Sequence, residues 1–225
     1  MQAYSYRKLP QKPNVIRLLR LLPSKVSSEH IQCELFEYTI QTSSTSHMYE
    51  ALSYCWGGEE KPRSILIIGG QDGKNSQELA VTENLYMALL HLRDYTLPRV
   101  LWVDAVCIDQ AIEGEKVSQI KLVPAIYAKA SRVIVWLGTA RDDSDKAFDL
   151  IITAANASIM LSSTQPAQDD RDNESVTSSN TQLTQDDCDN ESITSSNTQP
   201  LEKEIQQLLD RPWFSRVWVS NPVYH

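Results

Sequence analysis

The sequence predicts an α/β fold, with a mostly parallel sheet and helices on its faces. Short apolar segments, typical of strands, alternate along the chain with longer segments whose apolar residues recur at helical spacing. This alternation is characteristic of parallel sheets, because parallel strands need a crossover connection that a helix usually supplies. With 225 residues and a hydrophobic content of 41%, the chain is long enough to bury one sizeable core.

The predicted strands are short and bounded by turn residues. Residues 31–38 alternate apolar and polar side chains, as a half-exposed strand does. Residues 14–25 carry Arg17 and Arg20 between apolar pairs, and this pattern suits either an early strand or an amphipathic helix at a membrane surface. The other strands are predicted at 49–56, 64–70, 99–104 and 132–138.

Four segments have the helical period, at 81–93, 115–130, 143–160 and 201–210. Thr82 is suited to cap the first of them, because its hydroxyl can accept a hydrogen bond from a backbone N–H of the first turn. Pro124 predicts a kink or a break in the second, since proline lacks the N–H that a helix interior uses.

The acidic charge of the chain is concentrated in a tandem repeat. TQPAQDDRDNESVTSSN at 164–180 is followed by TQLTQDDCDNESITSSN at 181–197, and 13 of the 17 positions are identical. Residues 161–200 hold eight acidic side chains and one basic side chain, so that −7 of the net charge of −8 lies there. Such a polar segment buries too little apolar surface to offset the entropy of ordering it. We therefore predict a folded part at 1–160, a disordered acidic insertion at 161–200 and a return to the folded domain at 201–225.

Composition argues against several classes of protein. Outside the repeat the net charge is about −1, which provides no general basic surface for nucleic acid. No apolar run approaches the roughly 18 residues of a membrane-spanning helix, and the N-terminus lacks the pattern of a secretory leader. The four cysteines and four histidines are scattered, without a C-x-x-C pair or metal-ligand spacing. We expect a cytoplasmic protein with reduced thiols, without a metal site and without a nucleic-acid or membrane partner.

Polar side chains follow the ends of three predicted strands. SYCWGG at 53–58 ends one strand, VDAVCIDQ at 103–110 ends another, and Gly138 closes a third. In parallel sheets ligands bind outside the carboxyl ends of the strands, so we expect these segments to lie together. The candidate site residues are Ser53, Tyr54, Trp56, Gly57, Asp104, Cys107, Asp109 and Gln110.

Most of these residues also have a purely structural interpretation. Asp104 and Asp109 suit the binding of a ribose or a water molecule, but Asp104 also suits the cap of a neighbouring helix or turn, and Asp109 suits the start of the next helix. Cys107 is favoured as a buried, inert thiol, because no histidine is placed in the sequence to activate it. Trp56 and Gly57 suit a flat wall and a close-approach loop for a nucleotide, or only a turn of the chain. A standard dinucleotide or P-loop site is not supported, since neither G-x-G-x-x-G nor a Walker A sequence is present.

Five motifs in combination resemble the HET domain, the heterokaryon-incompatibility domain of filamentous fungi. They are YEALSYCWG (49–57), VTENLYMALLHLR (81–93), LWVDAVCIDQ (101–110), IYAKASRVIVWLG (126–138) and RPWFSRVWV (211–219). The resemblance runs from about residue 15 to residue 219, apart from the repeat, and it makes 14–25 an early strand. It also implies a distant similarity to TIR domains, and with it a flavodoxin-like sheet.

The resemblance implies an effector of fungal self/non-self recognition and programmed cell death. It implies partners among other incompatibility proteins or NLR-type receptors, or self-association. Because some TIR domains hydrolyse NAD, it implies NAD or another nucleotide as ligand, although the residues themselves specify no cofactor. If the chain is a TIR-like enzyme, Asp104 and Asp109 are the candidate catalytic residues. A non-catalytic homotypic interaction module is the alternative.

The C-terminal motif departs from the family pattern. The family reads W-x-x-R-x-W-V-x-Q-E, which places Trp213, Arg216 and Trp218 on matching positions. Arg216 and Trp218 are thereby candidates for the functional surface, although packing and an ion pair are the favoured explanation. Asn221 and Pro222 replace the Gln-Glu pair, and the chain ends three residues later. We therefore expect a truncated or degenerate copy that lacks glutamate-dependent catalysis.

Overall fold

The structure, a computed structural model, describes residues 2–26, 30–41, 47–69, 75–162 and 198–215. The chain divides into two compact units, Met1–Thr139 with Pro212–His225, and Ala140–Arg211. Residues 163–197, which contain the tandem repeat, lie outside the described residues, as do Arg216 and all residues after it.

Among the described residues, the first unit forms eight strands: β1 (Gln2–Ala3), β2 (Val15–Leu21), β3 (Gln32–Thr39), β4 (His47–Tyr54), β5 (Arg63–Gly69), β6 (Asn75–Val81), β7 (Arg99–Trp102) and β8 (Ala130–Trp136). They form one sheet in the order β1-β6-β5-β3-β2-β7-β4-β8. Four neighbouring pairs are parallel (β1/β6, β3/β5, β4/β7 and β4/β8). Three pairs are antiparallel (β2/β3, β2/β7 and β5/β6).

The predicted α/β class is confirmed, and the sheet is mixed, with four parallel and three antiparallel pairs. β2 and β3 follow each other along the chain without a described helix between them, and so do β5 and β6. Strands joined by such short connections pair antiparallel, because a parallel pair needs a longer crossover. β6 has no counterpart among the predicted strands. Its consecutive polar residues Ser76, Gln77 and Glu78 interrupt the alternation of apolar and polar residues that indicates a strand.

Six helices are described: α1 (Glu83–Leu92), α2 (Asp104–Cys107), α3 (Glu113–Ile120), α4 (Val123–Lys129), α5 (Ser144–Ser162) and α6 (Thr198–Leu209). The predicted cap of α1 is confirmed, because the Thr82 hydroxyl accepts a hydrogen bond of 3.3 Å from the Leu85 N–H. The predicted break near Pro124 is also confirmed: this proline lies in the first turn of α4, where its missing N–H costs little. In the described ranges, none of the helices has the length and apolar character needed to cross a membrane.

β2 lies at the centre of the sheet and supplies much of the core. Its residues Ile16, Leu18 and Leu19 are at most 1% exposed and belong to the hydrophobic core, and β3 and β7 pair with its two edges. Burying a leucine side chain in this way contributes about 1.5–3 kcal/mol to stability. Leu85 and Leu89 of α1 belong to the same core. Of the two interpretations of residues 14–25, the early strand is therefore the one that the structure bears out.

The second unit is described through α5 and α6. Ala147 of α5 and Leu208 of α6 are buried, and Arg211 donates a hydrogen bond of 3.0 Å to the carbonyl oxygen of Arg141. α5 ends at Ser162 and α6 begins at Thr198, so these helices extend into both ends of the range predicted as disordered, 161–200.

Candidate functional site

Three strand ends meet at one edge of the sheet. β4 pairs in parallel with β7 on one side and with β8 on the other. Glu50 of β4 forms ion pairs with Arg99 of β7, at 2.7 Å, and with Arg132 of β8. These cross-strand pairs hold the three strands in register. The predicted adjacency of the segments that follow β4, β7 and β8 is confirmed.

Trp56 and Asp104 join two of these segments. The Trp56 indole Nε1 donates a hydrogen bond of 3.0 Å to Oδ2 of Asp104, and the indole is 38% exposed. Oδ1 of Asp104 accepts a hydrogen bond of 2.7 Å from the N–H of Ala105, at the start of α2. Asp104 is the first residue of α2, and the N-cap of this helix is Val103, without a side-chain hydrogen bond, so the predicted helix cap is not formed. Asp104 instead anchors an exposed aromatic ring at the edge of the sheet.

Asn84 of α1 links the ends of β4 and β8. Its Nδ2 donates a hydrogen bond of 2.6 Å to the carbonyl oxygen of Cys55, just after β4. Its Oδ1 accepts one of 2.9 Å from the Trp136 indole at the end of β8. Gly57 lies beside it with a φ of 81°, in the left-handed region that favours glycine, and a Cβ there would lie 3.4 Å from Cβ of Asn84. Gly57 thus allows the chain to turn close to Asn84 of α1.

Trp213 of the C-terminal motif reaches the same edge of the sheet. The Trp213 indole donates a hydrogen bond of 3.0 Å to the hydroxyl of Ser53, near the end of β4. Ser53 is therefore engaged with protein, and the neighbouring Tyr54 is only 1% exposed. Arg216 and Trp218, the two candidates from the same motif, lie outside the described residues.

Cys107 is a buried thiol, as predicted. It is 0% exposed, its Sγ accepts a hydrogen bond of 3.3 Å from the Val103 N–H, and burial raises its pKa to about 12. A thiol with so high a pKa is protonated at neutral pH and is a poor nucleophile. Cys107 and Tyr54 are therefore part of the core beneath the strand ends and do not form part of the exposed surface of the site.

The loop after α2 is folded on itself by hydrogen bonds. Oδ1 of Asp109 accepts one of 3.1 Å from the Ala111 N–H, which is an Asx turn, and the Asp109 side chain is largely buried. Nε2 of Gln110 donates one of 3.0 Å to the carbonyl oxygen of Asp104. Asp109 therefore holds a turn but does not initiate α3, whose N-cap is Ile112. Gln110 closes the loop onto the start of α2.

A buried ion pair underlies this loop. Arg17 of β2 pairs with Glu115 of α3, and their side chains are 4% and 9% exposed. Arg17 also donates to the carbonyl oxygen of Cys107, at 3.2 Å, and Glu115 accepts a hydrogen bond of 2.8 Å from the Asp109 N–H. Burial alone raises the pKa of Glu115, but hydrogen bonds from Arg17 and from the Asp109 N–H lower it below its ordinary value. The pair therefore ties β2, the loop after α2, and α3 together.

An open pocket of about 330 Å³ lies beside the loop. It is lined by Tyr4, Ser5, Tyr6, Lys61, Leu79, Ala105, Asp109, Gln110 and Ala111. Of these, only Asp109 and Gln110 were sequence candidates. The N-terminal residues could not be anticipated from local pattern, because Tyr6 contacts Val106 at a separation of 100 residues. In the described part of the chain, no group of three or more His, Cys, Asp or Glu side chains is arranged to hold a metal ion.

Comparison with known proteins identifies the family. A family model described as Heterokaryon incompatibility protein (HET) matches residues 49–221. "Heterokaryon incompatibility protein 6, OR allele" of Neurospora crassa is 35% identical over 142 residues, which are 60% of this chain and 20% of that protein. The chain thus matches only a fraction of the length of this curated relative. No solved structure matches it significantly. The match from β4 to the C-terminal motif shows that the chain belongs to the HET family.

Proposed function

We propose that this chain is the effector module of a fungal self/non-self recognition system and that it triggers growth arrest or cell death when engaged. The observation that carries the proposal is the Trp56–Asp104 hydrogen bond, which joins two of the motifs that resemble the family at the edge of the sheet. Membership of the HET family supports it, as does the 35% identity to a protein named for heterokaryon incompatibility.

In this proposal the working surface is the edge where β4, β7 and β8 end. An indole that is 38% exposed and anchored by a carboxylate offers a rigid contact for a partner or a ligand. We place the protein in the cytoplasm, and the partners we propose are other incompatibility proteins, NLR-type receptors or a second copy of this chain. Degeneracy of the C-terminal motif belongs to the proposal as well, because Asn221 and Pro222 stand in place of Gln-Glu.

Inducible expression in a filamentous fungus tests the proposal. The account expects growth arrest after induction, with the protein detected at its full length. Normal growth at the same level of intact protein would contradict it, because an effector module acts once it is present in sufficient amount.

A non-catalytic interaction module is the second candidate function. It is supported by the state of the reactive side chains near the strand ends, because Cys107 is buried and Asp109 is held in a turn by hydrogen bonding within the protein. The position that resembles the family's glutamate carries Pro222, which can neither hold charge nor accept a proton. Incubation of the purified protein with NAD, followed by chromatography of nicotinamide and ADP-ribose, separates this function from a TIR-like NAD-cleaving enzyme.

A further inference from the structure

The pocket beside the loop after α2 lies partly outside the range that the family model matches. Tyr4 and Tyr6 supply one wall, and they precede residue 49, where the match begins. Asp109, Gln110 and the exposed Lys61 also line the pocket. A volume of about 330 Å³ is at the lower end of the range for pockets that hold small molecules.

The tyrosine wall is fixed in place by hydrogen bonds. The Tyr4 N–H donates to the carbonyl oxygen of Glu78, at 2.8 Å, and the Tyr6 hydroxyl donates to the carbonyl oxygen of Val106, at 2.9 Å. The two rings meet edge to face with their centroids 4.9 Å apart. Arg17 lies 5.1 Å from the centre of the Tyr6 ring. The wall is therefore formed before any ligand arrives, which lowers the entropic cost of binding.

The pocket offers one acceptor and one cation of the kinds that recognise a sugar phosphate. Oδ1 of Asp109 is occupied by the Ala111 N–H, while Oδ2 has no hydrogen bond to another described residue. Lys61 forms no ion pair within the described ranges. A carboxylate that accepts from ribose hydroxyls and a cation that binds phosphate are common means of nucleotide recognition.

We propose that this pocket binds a ribonucleoside monophosphate. The base lies against Tyr4 and Tyr6, the ribose hydroxyls donate to Asp109, and the phosphate pairs with Lys61. Aromatic rings accept any base, because each base presents a π-face. Lys61 is the one cation among the lining residues, which matches the single phosphate of a mononucleotide better than the two phosphates of a dinucleotide such as NAD. The inference goes beyond the proposed function and is tested on purified protein, so its failure is distinguishable from the absence of growth arrest.

Isothermal titration calorimetry of the full chain with AMP, GMP, CMP and UMP tests the inference. We expect binding of at least one of these nucleotides, with a stoichiometry of one. Lys61→Ala should weaken the nucleotide by about tenfold or more and leave the corresponding nucleoside unchanged, because only the phosphate contact is lost. Asp109→Asn should weaken nucleotide and nucleoside alike, and the 2′-deoxy nucleotide should bind more weakly to the wild type than the ribonucleotide does.

Two features of the variants keep the test sharp. The amide introduced by Asp109→Asn retains an oxygen that can accept from the Ala111 N–H, so the turn is preserved and the loss is confined to the ligand contact. Lys25→Ala is the matched control, since Lys25 is exposed and does not line the pocket. No binding of any of the four nucleotides at millimolar concentration would overturn the inference. So would binding that survives both pocket variants, or equal binding of inorganic phosphate alone.

Discussion

The Trp56 indole donates a hydrogen bond of 3.0 Å to Asp104, across a separation of 48 residues. The two residues come from the ends of β4 and β7, which are parallel neighbours in the sheet. A polar contact at this position is the kind of feature that functional sites of α/β sheets are built from. The same carboxylate also accepts a hydrogen bond from the Ala105 N–H in the first turn of α2, so one side chain joins the two strand ends and the start of this helix.

Among the described cysteines, reactivity should distinguish the two buried thiols from the thiol of Cys55, which is partly exposed. Cys33 and Cys107 are 0% exposed, and burial raises the pKa of both. Treatment of the native protein with iodoacetamide at pH 8, followed by peptide mass spectrometry, should modify Cys55 and leave these two intact until denaturant is added. Rapid modification of Cys107 in the native protein would contradict its placement in the core.

Replacement of Glu115 should destabilise the domain strongly. Glu115→Gln leaves the Arg17 guanidinium buried without its counter-charge, and breaking such a pair costs about 3 kcal/mol. Urea denaturation should show this loss. Glu113→Gln, in which an exposed carboxylate on the same helix is neutralised, should change stability by less than about 0.5 kcal/mol. Equal stability of the two variants would show that the buried pair contributes nothing.

The same pair predicts how stability depends on pH. Hydrogen bonds from Arg17 and the Asp109 N–H outweigh burial and lower the pKa of Glu115 in the folded state. Its contribution is therefore fully present above the unfolded-state pKa, near 4.5, and is lost as the pH falls through the folded-state pKa. The melting temperature of the wild type should fall between pH 5 and pH 3 more steeply than that of Glu115→Gln. Parallel curves for the two proteins would refute this assignment.

Removal of the acidic repeat should leave the folded units intact. Residues 163–197 are polar and duplicated, so replacing them with a short Gly/Ser linker removes little apolar surface. We expect the melting temperature to change by less than about 2 °C in differential scanning calorimetry. A drop of about 10 °C would show that the repeat packs against the rest of the protein.

NAD cleavage by this chain should be negligible. Breaking the nicotinamide–ribose bond builds positive charge on the ribose, which a nearby carboxylate stabilises, and Pro222 offers none. Purified protein incubated with NAD should release nicotinamide only at the background rate. The double variant Asn221→Gln, Pro222→Glu should release nicotinamide faster than the wild type does. Robust turnover by the wild type that is abolished by Asp104→Asn would contradict this and make Asp104 catalytic.

The parts of the fold that depend on local pattern could be predicted from the sequence. The strand ends at β4, β7 and β8 were expected to meet, because apolar segments separated by helices imply parallel neighbours. Cys107 could be predicted as a buried, inert thiol because no histidine is placed in the sequence to activate it. The antiparallel pairs were not anticipated, since residues 14–25 and 31–38 do not by themselves specify the direction in which they pair.

Contacts between distant segments account for what could not be predicted. Arg17 and Glu115 are separated by 98 residues, and neither position has a pattern that specifies its partner. One signal was available: an arginine inside an apolar strand must find a counter-charge if the strand is buried. Asn84 and Tyr6 carried no such signal, because their partners at the site are an indole and backbone carbonyl oxygens.

Growth arrest in a filamentous fungus, measured for matched variants, tests the central claim most directly. The account predicts that Trp56→Ala and Asp104→Asn abolish arrest while circular dichroism and expression level stay as in the wild type. Tyr95→Ala and Asp94→Asn are the matched controls: Tyr95 is 66% exposed, Asp94 accepts hydrogen bonds in a turn, and neither lies at the strand ends. Both controls should arrest growth as the wild type does. Full arrest by both strand-end variants would contradict the assignment of the functional surface to Trp56 and Asp104.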